Sequence, residues 1–266
     1  MRIEDGLVIA DNQQLVTLST SYKAGLTLRY FRHVVDEPVL PYHEKVLYAD
    51  DYLVVADKPH FLPVTPSGSY VRETLLARLK SKLQLDQLSP LHRIDRDTAG
   101  LVLFCVQAKH RGLYQALFRD GKIQKQYEAI APKLKLQVPH EIKLRLLDRS
   151  KDSPDFMQTK VVQGEPNSIT RIVAINEIDG YPLLARYTLH AITGRRHQLR
   201  AHLSHLDAPI IGDQIYPTLM PQRDVSVGKH EPLQLLAQRI FFMDPITREE
   251  RSFLTTQLLA MQPLTI

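Results

Sequence analysis

The sequence predicts an α+β fold: a mixed, mostly antiparallel sheet core flanked by helices, with a small β-rich N-terminal extension. Three observations predict it. Short apolar stretches of strand period outnumber helical ones. The two kinds rarely alternate along the chain, which disfavours a doubly wound parallel sheet. No glycine-rich phosphate loop joins a strand to a helix, so dinucleotide-binding and P-loop readings lose their main support.

The elements follow in order. Residues 1–40 alternate Leu7-Val8-Ile9-Ala10 and Leu26-Thr27-Leu28-Arg29-Tyr30 with polar turns and form a small accessory region. Pro38 and Pro41, which can neither continue a helix nor donate to a ladder, set the boundary and leave 41–266 as one large domain. Two strands, Lys45 to Tyr48 and Tyr52 to Ala56, flank an Asp50-Asp51 turn. Leu75, Leu76, Leu79 and Leu83 have helical spacing, which predicts an amphipathic helix from Glu73 to Leu83. Leu91 to Asp95 reads as a strand, followed by a polar turn and a buried strand from Leu101 to Val106. A helix over Lys109 to Phe118 and a strand over Ile123 to Ala131 come next. Residues 134–167 are rich in Lys, Pro, Asp and Ser and read as loop, most of all Lys151 to Asp155. Strands resume at Thr170 to Ile178 and Leu183 to Ala191. A short helix follows from Arg196 to Leu206, with Leu199, Leu203 and Leu206 on one face and basic residues on the others. Residues 240–254 read as a closing hairpin.

Composition narrows the function classes. A chain of 266 residues with 44% hydrophobic and 24% charged residues can bury a core without staples. The single Cys105 excludes an internal disulfide or a multi-cysteine metal cluster and points to a reducing compartment, the cytoplasm. No apolar run approaches the roughly 20 residues that cross a bilayer, and the early Glu4 and Asp5 do not suit a signal peptide. A soluble, monomeric protein with a net charge of +5 is expected.

That charge is clustered. Between Arg186 and His205 stand four arginines and four histidines with no carboxylate, a candidate phosphate-binding surface. His197, His202 and His205 give no His-x-x-x-His pair on one helical face, so no metal is expected.

Chemistry concentrates in three segments. Leu91 to Gly100 reads LHRIDRDTAG and sets Asp95 between arginines before a polar turn. From composition alone, Asp95 and Asp97 could be turn residues and Arg93 and Arg96 surface partners. Lys125, Tyr127 and Ala129 form a Lys-x-Tyr-x-Ala pattern, and residues 194–202 read GRRHQLRAH, followed by Pro209-Ile210-Ile211-Gly212-Asp213 and Tyr216. A tyrosine in a strand is more often core than catalytic.

Taken together and in this order, these motifs resemble the pseudouridine synthases of the RluA family, over roughly Tyr48 to Phe253. The resemblance implies the pseudouridine synthase fold and the isomerisation of uridine to pseudouridine in a structured RNA, rRNA or tRNA. It implies Asp95 as the catalytic carboxylate, which at a free pKa near 4 is ionised and able to attack C6 of uracil or C1′ of ribose, or to take a sugar proton. Arg200 would be its ion-pair partner, Tyr127 would stack on the flipped base, and Leu235 would line the uracil pocket, with Leu236 where histidine is frequent. Arg93 would enter the space left by the flipped base, with His92 beside it; Arg195, Arg196 and His202 would touch RNA backbone. The resemblance implies no cofactor, since rejoining the same uracil through C5 needs no redox change and no added group. Tyr22 to Arg32 resembles the end of a reduced S4 module. A non-catalytic RNA-binding or RNA-folding protein on the same scaffold is the alternative, and a small-ester hydrolase finds no Gly-x-Ser-x-Gly elbow to support it.

Overall fold

The computed structural model describes residues 2–30, 37–148, 157–220 and 231–259. The predicted loop at Lys151 to Asp155 and the last residues of the S4-like segment lie outside them.

A two-stranded antiparallel sheet, β1 (Val8–Ala10) with β2 (Leu28–Tyr30), has its own small core of Val8, Ala10 and Val16. The chain is tied into the large unit from Glu37 onward. The Glu37 carboxylate accepts the backbone N–H groups of Val71, Arg72 and Glu73 at 2.7–3.0 Å, ahead of the helix whose N-cap is Thr74.

The main sheet has 11 strands. In chain order these are β3 (Lys45–Ala49), β4 (Leu53–Lys58), β5 (Ser89–Pro90), β6 (Ala99–Cys105), β7 (Gln124–Pro132), β8 (His140–Asp148), β9 (Thr159–Val162), β10 (Ser168–Glu177), β11 (Leu184–Ala191), β12 (Leu235–Met243) and β13 (Glu250–Leu254). Across the sheet they run β3-β4-β6-β12-β7-β11-β10-β8-β9, with β5 on β6 and β13 on β12. The ladders are antiparallel except at β6 with β12, where Ala99 and Gly100 pair in parallel with Leu236 and Ala237. That junction admits only glycine at position 100. Gly100 has φ +109°, and a Cβ there would stand 2.3 Å from the Ala237 carbonyl oxygen.

Alternation within the strands sorts side chains to two faces. Val102 and Phe104 of β6 meet α1 (Leu75–Leu83) through Leu75 and Leu79. Leu101, Leu103 and Cys105 meet α2 (Arg111–Arg119) through Tyr114 and Leu117 on the opposite face. The third helix, α3 (Gln198–His205), lays Leu199 and Leu203 on Ala129, Tyr187 and Leu189 of β7 and β11.

Four expectations change. Residues 134–167 contain β8 and β9; Ile142 and Leu146 point inward between charged outward neighbours, and that polar outer face hid the strand. Leu91 to Asp95 is not a strand, since pairing to β6 stops at Pro90 and residues 91–98 form a loop. The closing hairpin begins earlier, because β12 starts at Leu235. The faces of α3 are not basic surface: from Gln198 to Leu203 every residue is buried, because the helix is enclosed by the sheet and β9.

Candidate active site

The loop of residues 91–98 leaves β5, turns at the Thr98 N–H to Asp95 C=O hydrogen bond of 3.2 Å, and enters β6. It is held at several points. The buried Lys58 ammonium, at the end of β4, donates to the carbonyls of Arg96 at 2.9 Å and Pro59 at 2.8 Å. Burial lowers its pKa to about 7, against the opposing charges of Asp97 and Asp95. His60 Nδ1 lies 2.7 Å from the Asp97 carbonyl. At the other end, His92 Nε2 accepts the Leu103 N–H at 3.1 Å and the ring stacks on Phe118 at 4.9 Å. Burial, with the charge of Lys125 added, brings the His92 pKa down to about 3, so this imidazole is neutral and acts as a backbone acceptor.

Asp95, so held, faces α3. Arg200 Nη1 donates to Asp95 Oδ2 at 3.2 Å across a sequence separation of 105 residues. The guanidinium is 2% exposed and its other edge is gripped by Asp213, with Nε to Oδ2 at 2.8 Å and Nη2 to Oδ1 at 2.7 Å. Burial opposes the charge, but the hydrogen bonds and charge of Asp213, with Asp95 and Asp97 beyond, outweigh it and raise the pKa above the usual arginine value. Asp213 Oδ1 in turn accepts the N–H groups of Ile215 and Tyr216, which aligns the pair. Only the Asp95 end is open, with its side chain 26% exposed against 0% for Asp213.

The opening is a cavity of about 790 Å³, within the range of about 300–1,000 Å³ usual for small-ligand sites. Asp95, Arg200, Tyr127, Leu235, His92 and Arg93 all line it, as do Arg195 and Arg196. Tyr127 reaches it because Lys125, Tyr127 and Ala129 share one face of β7, opposite Gln126 and Glu128. Burial first, and the charge of Asp95 second, raise the Tyr127 pKa, so the phenol keeps its proton and the ring presents a neutral face. Leu235 is 3% exposed and closes the floor beside it. Arg93, Arg195 and Arg196 are exposed on the rim; Arg195 Nε and Arg196 Nη2 are steadied by the carbonyls of Asn167 at 3.1 Å and Met157 at 2.8 Å.

His202 is not at this surface. Its side chain is 0% exposed and Nε2 lies 2.8 Å from Ser168 Oγ, facing β10. Two residues beyond Arg200 on the buried part of the helix, it turns away from the cavity, and burial lowers its pKa to about 4. The basic rim comes instead from Arg195 and Arg196 in the loop before α3, together with Arg93. Sequence reading gave no role to Asp213, Lys58 or His197. A signal for Asp213 existed, since a buried arginine requires a second carboxylate and Asp213 closes a quoted motif.

Comparison with known proteins gives this arrangement a family. Residues 52–205 match the family model described as RNA pseudouridylate synthase. The chain is 32% identical over 221 residues to tRNA pseudouridine synthase C of Haemophilus ducreyi, covering 77% of this chain and 87% of that protein. It is 31% identical over 226 residues to the dual-specificity RNA pseudouridine synthase RluA of Pasteurella multocida, covering 81% and 94%. The solved structure of human RNA pseudouridylate synthase domain containing 4 superposes with a TM-score of 0.61 at 25% identity, covering 80% and 88%. The class defined by fold and sequence is that of enzymes that isomerise uridine in RNA. The chain belongs to the RNA pseudouridylate synthase family, in the branch that includes RluA.

Proposed function

We propose that Asp95 is the catalytic carboxylate of this pseudouridine synthase and that the substrate is a uridine flipped out of a folded tRNA or rRNA. The observation that carries the reading is the Arg200 to Asp95 contact of 3.2 Å at the floor of a cavity whose rim is arginine. Arg200 occupies Oδ2, which leaves Oδ1 directed to substrate. A base extruded from its stack lies between the Tyr127 ring and Leu235, and Arg93 fills the vacated position, offsetting an extrusion cost of a few kcal/mol. Arg195 and Arg196 hold the flanking phosphates. Uracil detached from C1′ is held between the Tyr127 ring and Leu235 beside the ribose, so proximity supplies the second bond through C5. We place this activity in the cytoplasm, with the protein acting as a monomer and without a cofactor. Family membership leaves the non-catalytic RNA-binding reading with no observation of its own.

The test is chemical mapping of pseudouridine in total RNA from cells with and without the gene, followed by reconstitution in vitro with wild type and Asp95→Asn. Wild type restores the missing sites and Asp95→Asn restores none. Equal activity of the two proteins would remove Asp95 from the mechanism.

A further inference from the structure

One imidazole faces the open oxygen of the reacting carboxylate. His197 Nε2 lies 3.8 Å from Asp95 Oδ1. The ring is set from its other side by Tyr216, which it meets edge-on at 84° with ring centres 5.8 Å apart and Nδ1 3.4 Å from the phenol oxygen. The Tyr216 hydroxyl hydrogen is committed to the Thr159 carbonyl at 2.9 Å, and its oxygen accepts the Thr159 N–H at 2.7 Å. Towards His197 that oxygen is therefore an acceptor. Nδ1 must carry the imidazole hydrogen, and Nε2 presents a lone pair to the cavity. Burial, reinforced by Arg200 and Arg196, outweighs Asp95 and Asp213 and lowers the His197 pKa, which keeps the ring in that neutral form.

Two acceptors thus stand 3.8 Å apart at the cavity floor, and neither can satisfy the other. A hydroxyl brought between them satisfies one. Every atom on which Asp95 could act clusters around the glycosidic bond, and the hydroxyl nearest that bond is the ribose 2′-OH. Given an imidazole acceptor, that hydroxyl does not need the carboxylate. We propose that His197 Nε2 accepts the 2′-hydroxyl hydrogen of the target nucleotide, which keeps Asp95 Oδ1 free for reaction and makes the site selective for ribose. The assignment rests on the catalytic role of Asp95 argued above.

The experiment uses an RNA fragment bearing a mapped target uridine, made either with ribose or with 2′-deoxyribose at that one position. Single-turnover rates are measured for wild type, His197→Ala and His197→Gln, with circular dichroism to confirm folding. Wild type discriminates against the deoxy substrate by roughly 10- to 100-fold, the worth of one hydrogen bond to a buried acceptor. His197→Ala is slower by a similar factor on the ribose substrate and loses the discrimination. His197→Gln, whose Oε1 can accept, regains a large part of both. Undiminished discrimination by His197→Ala, or an equal fall on both substrates, overturns the proposal, because a merely structural role would do the latter. If His197→Ala does not fold, His197→Gln decides alone: retained discrimination supports the proposal, and its loss overturns it. Wild-type inactivity on every RNA would instead defeat the catalytic reading, and this inference with it.

Discussion

Replacing Asp213 with alanine strands a buried cation. Arg200 and Asp213 are 2% and 0% exposed and share two hydrogen bonds of 2.8 and 2.7 Å. With charge centres about 4 Å apart and an effective dielectric constant of about 20, their Coulomb attraction is about 4 kcal/mol. Breaking such a pair from one side costs about 3–5 kcal/mol. Asp95 remains as a second carboxylate at 3.2 Å, which puts the expected loss at the lower end, about 3 kcal/mol. Urea denaturation followed by circular dichroism measures it, and the melting temperature should fall by about 6–12 °C. The companion double variant Arg200→Met with Asp213→Asn removes both charges and keeps an amide oxygen to accept the N–H groups of Ile215 and Tyr216. It should recover most of the stability, because no buried charge is then left without its partner. It should still form no pseudouridine, since nothing then orients Asp95. An Asp213→Ala protein within about 0.5 kcal/mol of wild type would refute the claim that this pair anchors the site, as that is the range of an ordinary surface change.

Protonation, packing and charge give further expectations. Because the His92 pKa is lowered to about 3, the unfolded chain alone takes up a proton as pH falls below its own value near 6.5. Stability is therefore lost with falling pH, by about 2 kcal/mol between pH 7 and pH 5 from this residue. Urea titrations at the two pH values should show His92→Asn losing less stability over that interval by about that amount, with His202 contributing in the same direction in both proteins. Gly100→Ala forces a Cβ to 2.3 Å from the Ala237 carbonyl at φ +109°; thermal melts should show a loss of at least about 2 kcal/mol, and the rate should fall because β6 carries the Asp95 loop. Arg195→Ala should weaken RNA binding while leaving the melting temperature unchanged. A salt titration should show the logarithmic slope reduced by about one if its guanidinium meets a phosphate.

Local pattern was enough to locate much of this protein. Helix α1 follows from leucine spacing, and the turn at Asp50 from a carboxylate that accepts the N–H groups of Tyr52 and Leu53 at 2.8 and 2.7 Å. The family motifs singled out Asp95, Tyr127 and Arg200, and the fold brings all three to one cavity. By contrast β8 is hidden in the sequence, because a strand with a charged outer face has the composition of a loop. Whether a basic residue faces RNA or the core was not legible either. Arg195, Arg200 and His202 stand within eight residues of one another, yet the first is exposed, the second sits between two carboxylates, and the third is sealed against Ser168.

The sequence by itself determined the family and the α+β class and singled out Asp95 as the candidate carboxylate, because motif and periodicity are properties of neighbours along the chain. The tertiary structure alone decided which oxygen of Asp95 Arg200 leaves open, which acid completes the Arg200 pair and which histidine stands beside Asp95 in the cavity. Each of those depends on groups brought within hydrogen-bonding or ion-pair reach from different elements, and only the packing of β6, β7 and α3 creates that proximity.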